Sequence, residues 1–320
     1  MIQVDRVFGI ASREEFDSVA LELFRFQARA CRPYGEYLSL TGVDPAGIRR
    51  TEDIPCLPIE LFKSHDVYCG ASAPQKIFTS SNTGGTVPSR HMMADLSLYE
   101  RSFTAAFEYF YGPCDGWSIY GLLPNYLQRG GSSLVYMVAK LLERCGGGGF
   151  YLDDCESLLR DMAADPRRKI LLGVSYALWD LAERFSPQLR DTVVMETGGM
   201  KGQREELPRE EFHALLQSAF GVERIESEYG MAELTSQAYS RGGGVFRCPP
   251  WMRVEVRDLN DPRDVSAAGR GGLNIIDLAN VWSCAFIETQ DVGSVSADGS
   301  FTIAGRADRS EIRGCNLLVQ

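Results

Sequence analysis

The sequence predicts an α/β protein with a parallel sheet in its middle and a β-rich final quarter. Two observations carry this. Between residues 170 and 229, three short apolar runs alternate with two amphipathic helical patterns, a βαβαβ order that calls for parallel strands. After about residue 240 the pattern changes to a period of two, punctuated by turn residues. The expected division is an α/β core over residues 1–240 and a β-rich subdomain with a short tail over residues 241–320.

Each element has its own signal. Ser12 and Glu15 stand at capping-box spacing, and Phe16, Val19, Ala20, Leu23 and Phe24 follow at helical intervals, so a helix covers residues 12–24. Residues 54–62 are apolar but punctuated by proline, hence extended or looped. Residues 133–144 have a helical pattern, and the glycines at 146–149 read as its exit and turn. Residues 170–174 form a strand, and Ser175 can cap a helix over residues 176–185. Residues 192–195 form the next strand, running into Thr197-Gly198-Gly199. Pro208 starts a helix with Phe212, Leu215, Leu216, Ala219 and Phe220 on one face, and Gly221 closes it. The charges over residues 203–211 read as its solvated start. Residues 225–228 form a third strand, leading into Tyr229-Gly230-Met231.

Segments 173–175, 198–202 and 229–233 therefore lie beyond the carboxyl ends of parallel strands, where open α/β sheets bind ligands. In the last quarter, Met252, Val254 and Val256 alternate with Arg253, Glu255 and Arg257, and Asn260-Asp261-Pro262 makes a turn. Residues 273–278 and 283–288 read as strands, and Asp298-Gly299 joins residues 292–297 and 300–304 as a hairpin.

Composition narrows the function. With 320 residues, 44% of them hydrophobic, the chain can bury one large core or a few fused subdomains. Its 33 basic and 43 acidic residues leave a net charge of −10, which argues against nucleic acid or an anionic membrane as the main partner. Acidic residues interrupt the N-terminal stretch where a signal peptide needs an apolar core, and no apolar run approaches the ~18 residues of a membrane span. Nine cysteines scattered singly, without CxxC, and three histidines suit reduced thiols in a cytoplasmic protein rather than a disulfide framework or a structural zinc site.

Three segments could carry chemistry. Phe78-Thr79-Ser80-Ser81-Asn82-Thr83-Gly84-Gly85-Thr86 interleaves hydroxyl and amide side chains with flexible glycines, so it can present many donors to a triphosphate; it is not GxxxxGK[ST]. Glu228-Tyr229-Gly230-Met231-Ala232-Glu233 offers an aromatic ring at a strand end and a carboxylate for magnesium. Glu288-Thr289-Gln290-Asp291-Val292-Gly293, followed by Gly305-Arg306-Ala307-Asp308, offers an acceptor for ribose hydroxyls and a cation for phosphate.

Together and in this order, these segments resemble the core motifs of the adenylate-forming (ANL) superfamily. Within it the sequence is most similar to LuxE-type acyl-protein synthetases. That likeness rests on Leu57-Pro58-Ile59-Glu60-Leu61-Phe62-Lys63, on Leu123-Pro124-Asn125-Tyr126-Leu127 with Ser132-Ser133-Leu134, on Thr197-Gly198-Gly199-Met200-Lys201-Gly202, and on Arg313-Gly314-Cys315. It runs from about residue 50 to the end of the chain. The resemblance implies an ANL-type N-terminal domain of parallel-rich α/β subdomains plus a β-rich C-terminal subdomain. It further implies that Ser80, Ser81, Asn82, Thr83 and Gly84 hold the phosphates of ATP, that Gly198, Gly199 and Met200 line the adenine, and that Tyr229 stacks on it. By the same likeness Glu233 coordinates Mg2+, Asp291 binds the ribose hydroxyls and Arg306 contacts the ribose-phosphate side.

The sequence departs from the superfamily pattern in three ways. Ser89 stands where a lysine usually follows the proline of the phosphate loop, leaving Arg90 to supply positive charge. The mobile C-terminal domain with its catalytic lysine is not expected, and Lys201 is the candidate replacement. LuxE-like synthetases, which also end early, pass the acyl group to a cysteine near the C-terminus, a role that falls here on Cys315.

The expected activity is ATP-dependent activation of a carboxylic acid, with a fatty acid and an acyl reductase or carrier partner implied by the family alone. Two other readings compete. One is a degenerate, non-catalytic nucleotide- or acyl-binding partner. The other is a serine hydrolase or acyltransferase, since Gly173-Val174-Ser175-Tyr176-Ala177 is one residue from GxSxG; its only downstream histidine, His213, falls in a helix.

Overall fold

A computed structural model describes residues 3–80, 87–123, 131–199, 204 and 207–307. The chain divides into two compact units, one formed by residues 1–72 with 250–320 and the other by residues 73–249. The N-terminal segment and the last quarter, far apart in sequence, belong to one unit.

The first unit opens with α1 (Val4–Phe8), α2 (Arg13–Ala30) and α3 (Arg32–Leu40). The capping box at α2 is present: the Glu15 amide donates to Ser12 Oγ at 3.1 Å, and the Ser12 amide donates to Glu15 Oε2 at 3.2 Å. The helix runs past the expected residue 24, because Gln27 extends the buried face. Its side-chain amide donates to the carbonyls of Asn280 and Val281 and accepts from the Ala285 amide at 2.9 Å, docking α2 onto a distant turn of the same unit. The proline-punctuated stretch supplies β1 (Leu57–Pro58) and the single turn of α4 (Leu61–Ser64).

The second unit begins with the hairpin of β2 (Lys76–Thr79) and β3 (Arg90–Met93), followed by α5 (Leu96–Tyr111) and β4 (Trp117–Leu122). Then come α6 (Ser133–Cys145), β5 (Gly148–Tyr151), α7 (Cys155–Ala164), β6 (Arg168–Val174), α8 (Ser175–Phe185), β7 (Thr192–Thr197), α9 (Arg209–Phe220) and β8 (Ile225–Tyr229). Strands β9 (Ala238–Ser240) and β10 (Phe246–Arg247) close the unit.

The order β5-β4-β6-β7-β8 is parallel throughout, with β9 and β10 added antiparallel. The central β6 is buried at six consecutive positions from Lys169 to Val174, as a strand covered on both faces must be. One expectation is corrected: the 146–149 glycines contain a strand as well as a turn. Gly146 ends α6 in the left-handed region, whereas Gly148, at φ +99°, opens β5 so close to β4 that a Cβ would lie 1.8 Å from the Ile119 carbonyl oxygen.

The first unit resumes with β11 (Met252–Arg257), β12 (Val265–Ser266), β13 (Gly269–Asp277), β14 (Phe286–Val295) and β15 (Phe301–Arg306). They pair antiparallel in the order β12-β11-β13-β14-β15, and β1 pairs parallel with β14 at Ile287 and Glu288. Phe24, Tyr34 and Phe286 cluster with ring centroids 6.0–6.3 Å apart. Each such buried aromatic contributes roughly 1.5–3 kcal/mol, more than any surface contact here. Among the described residues, no helix is long and apolar enough to cross a membrane.

Candidate active site

The hydroxyl-rich segment enters and leaves through β2 and β3. Thr79 and Arg90 are the last paired residues; beyond them the Ser80 amide donates to the Ser89 carbonyl at 3.2 Å, and the Ser89 amide donates to Ser80 Oγ at 2.9 Å. These bonds close the base of the loop. They also account for Ser89, which is buried and holds the hairpin together where a lysine is usual in the family it resembles. Arg90 follows it as an exposed residue. Ser81, Asn82, Thr83 and Gly84 lie outside the described residues.

At the carboxyl ends of the parallel strands, Gly198 and Gly199 follow β7, both exposed, with Gly198 at φ +67°. That left-handed conformation favours glycine at the turn. Met200 and Lys201 lie outside the described residues. Tyr229 ends β8, its ring 5.9 Å from that of Phe246 at an angle of 60°. Glu233 is buried in the turn that follows.

Two features bind these pieces together. His91 on β3 is buried, and its Nδ1 lies 2.8 Å from the Ala232 carbonyl oxygen. A carbonyl only accepts, so Nδ1 carries the proton, and the bond ties the exit of the hydroxyl-rich loop to the residue before Glu233. Across β7 and β8, the Thr197 hydroxyl donates to the Glu228 carboxyl. Burial pushes the Glu228 carboxyl up to about 7, and the Thr197 hydroxyl only partly offsets it. The structure therefore brings Ser80, Arg90, Gly198, Tyr229 and Glu233 onto neighbouring segments of one unit. Sequence reasoning singled out neither His91, whose only signal is its place beside Arg90, nor Glu228, which had no signal apart from its hexapeptide.

Ser175 takes a place different from the expected one. It is the first residue of α8, whose N-cap is Val174, and it makes no side-chain cap. One position inside the helix, its oxygen is not placed to accept from the first-turn amides, and its hydroxyl donates to Glu196 Oε2 at 3.1 Å. His213 also bonds Glu196, with Nε2 at 2.9 Å from Oε1. Ser175 and His213 thus share one carboxylate rather than forming the serine–histidine bond that activates a hydroxyl nucleophile.

In the other unit, Asp291 on β14 pairs with Arg306 on β15, and Arg306 Nε donates to Asp291 Oδ1 at 3.1 Å. Asp291 is buried and its amide is held by Thr289 Oγ1 at 3.1 Å. Behind it the buried Arg257 guanidinium donates to the carbonyls of Leu273 and Thr289 and to Asn274 Oδ1, bracing three strands. Alternation along β11 did not reveal this role. Cys315 lies outside the described residues.

No family model and no curated protein matches the chain in sequence. In fold, solved structures match it. The ATP-bound MatB of Rhodopseudomonas palustris superposes with a TM-score of 0.55 at 19% identity, covering 72% of this chain and 47% of its own. A 2-hydroxyisobutyryl-CoA ligase in its postadenylation state gives a TM-score of 0.70 at 13% identity, covering 92% of this chain and 68% of its own. The fold is that of the N-terminal domain of adenylate-forming enzymes. The luciferase-like enzyme of the mealworm Zophobas morio is similar as well, with a TM-score of 0.53 at 14% identity, covering 77% of this chain and 59% of its own. The chain spans about half the length of MatB.

The donor set fits magnesium in one way only. Among the described residues no group of three His, Cys, Asp or Glu could hold a metal by itself. Mg2+ is commonly held by one or two carboxylates with substrate phosphates and water, and Glu233 can supply one.

Proposed function

We propose that this chain activates a carboxylic acid with ATP and passes the acyl group from the adenylate to a thiol. The observation that carries the reading is the His91–Ala232 bond, which makes the exit of the hydroxyl-rich loop a neighbour of the Tyr229–Glu233 turn. Phosphate donors, an aromatic ring and a carboxylate then serve one nucleotide. The similarity in fold to ligases solved with ATP or an acyl-adenylate supports it.

In the first step a carboxylate oxygen bonds to the α-phosphorus of ATP and the bond to the β-phosphate breaks, releasing pyrophosphate. Negative charge grows on the α-phosphate oxygens, and fixed donors aimed there lower the barrier. Ser80, Ser81, Asn82, Thr83 and Gly84 would cradle the phosphates, with Arg90 and Lys201 as the cations. Tyr229, Gly198, Gly199 and Met200 would hold the adenine, and Asp291 and Arg306 the ribose-phosphate. Magnesium, when bound through Glu233, would neutralise phosphate charge. In the second step a thiolate attacks the carboxyl carbon and AMP leaves, giving a thioester. Cys315 is the proposed acceptor, a fatty acid the proposed substrate, an acyl reductase or carrier the next partner, and the cytoplasm the location.

Purified protein incubated with ATP, Mg2+ and radiolabelled carboxylic acids tests both steps, comparing wild type with Cys315→Ser. Adenylate from both, with hydroxylamine-sensitive protein label on wild type alone, is the expected result. Adenylate from both without label on either protein would remove Cys315 as acceptor. ATP binding without adenylate from any acid would favour a degenerate, nucleotide-binding role.

A further inference from the structure

The buried cluster around Glu196 is not used by the chemistry above. Glu196, next to last in β7, collects donors from three elements: Ser175 Oγ of α8 at 3.1 Å, His213 Nε2 of α9 at 2.9 Å and Ser227 Oγ of β8 at 3.0 Å. All four side chains are buried. A carboxylate has about four lone-pair sites, so three donors nearly fill it and fix its orientation.

One member also touches the site. Ser175 Oγ lies 3.0 Å from the carbonyl oxygen of Gly198, the first residue beyond β7. The hydroxyl proton is shared between the Glu196 carboxylate and that carbonyl. Ser227 bonds the same carboxylate from β8, with its hydrogen bond directed to the opposite oxygen, Oε1. The cluster thus has one arm that reaches the turn and one that does not.

We propose that Glu196 is a positioning residue which, acting through Ser175, fixes the backbone of the Gly198–Gly199 turn so that an adenine ring can pack on it. The backbone part stands on the cluster alone; the adenine part rests on the adenylation reading. Glu196, itself oriented by His213 and Ser227 on its other oxygen, holds the Ser175 side chain, and Ser175 holds the Gly198 carbonyl. The turn needs this hold because glycine at Gly198 and Gly199 supplies no side-chain contacts of its own and has the widest backbone freedom.

Two variants that each remove one hydroxyl from the same carboxylate separate positioning from simple burial. Ser175→Ala should speed hydrogen exchange at the amides of Gly198 and Gly199 by about fivefold to tenfold and weaken ATP binding by a similar factor, the size of one net hydrogen bond. In turnover the loss should fall on KM for ATP and leave kcat nearly unchanged. Ser227→Ala should leave the exchange of those two amides at the wild-type rate, and Ser175→Thr, which keeps the hydroxyl, should restore it. Equal exchange in the two alanine variants, or no change in either, would overturn the proposal, and thermal melts of both establish that they are folded. If wild type binds no ATP while exchange still separates the variants, the positioning of the turn holds and the adenylation reading falls.

Discussion

The ends of β7 and β8 lie side by side, and each carries a buried glutamate, yet their carboxyls are held in opposite ways. At Glu196 burial favours the neutral form, but the His213 hydrogen bond and charge, the nearby Arg209 and the Ser227 hydroxyl outweigh it, so its carboxyl is held below the usual range. At Glu228, among the described residues, burial is opposed by the Thr197 hydroxyl alone, and the carboxyl is pushed up to about 7. Depth is similar at the two sites. The number and charge of the donors decides which carboxyl stays ionised. The ionised one anchors a turn; the other, poised near 7, accepts from the Thr197 hydroxyl.

The largest expected effect breaks the anchored end. Glu196→Ala leaves three buried donors without their shared acceptor and should cost about 3–5 kcal/mol in urea unfolding, as removal of one partner from a buried charged cluster does. A loss below about 1 kcal/mol would show that the donors find other partners and that the contrast with Glu228 is not one of anchoring.

Glu228→Gln should act in the opposite direction. Its carboxyl binds a proton more tightly in the folded protein than in the unfolded chain, so wild-type stability is full below the ordinary glutamate range and falls as pH rises to about 7. The amide keeps an acceptor for Thr197 without the buried charge. The variant should therefore gain stability relative to wild type across that window, reaching about 1–3 kcal/mol above pH 7. Melting temperatures at pH 5 and pH 8 check this, and a gain that is larger at pH 5 would reverse the assignment.

The first unit offers a third case that sharpens the rule. Glu255 on β11 is buried, its Oε1 has no hydrogen-bond partner among the described residues, and Arg253 Nη1 lies 4.0 Å away. Burial, only partly offset by Arg253, pushes its carboxyl up to about 7. Glu255→Gln should gain stability over the same pH window, but by less, about 1 kcal/mol, because the attraction to Arg253 is lost with the charge. A loss of stability at pH 8 would mean that the ion pair outweighs burial.

What could be read from the sequence followed local periodicity. The βαβαβ run over residues 170–229, the Ser12–Glu15 cap, Pro208 and Gly221 around α9, and the Asp298-Gly299 hairpin all have signals within a few residues of the feature. What could not be read depends on distant segments. Glu196 follows an apolar run that seemed complete at Met195, and its partners come from α8, α9 and β8. Alternation marked Glu255 and Arg257 as the polar side of a strand, whereas both are buried. The pairing of β1 with β14 spans more than two hundred residues. Of the candidate site, the segments were legible from motif order; the His91 bond that joins two of them required the fold.

Acid-dependent exchange of labelled pyrophosphate into ATP is the most direct test of the central claim, because only reversible adenylation returns the label. The account predicts exchange that appears with one class of carboxylic acid, requires Mg2+ and is lost in Glu233→Ala and Asp291→Ala variants that remain folded. Exchange that persists undiminished in both variants, or ATP bound by the wild type with no exchange across short, aromatic and long-chain acids, would contradict it.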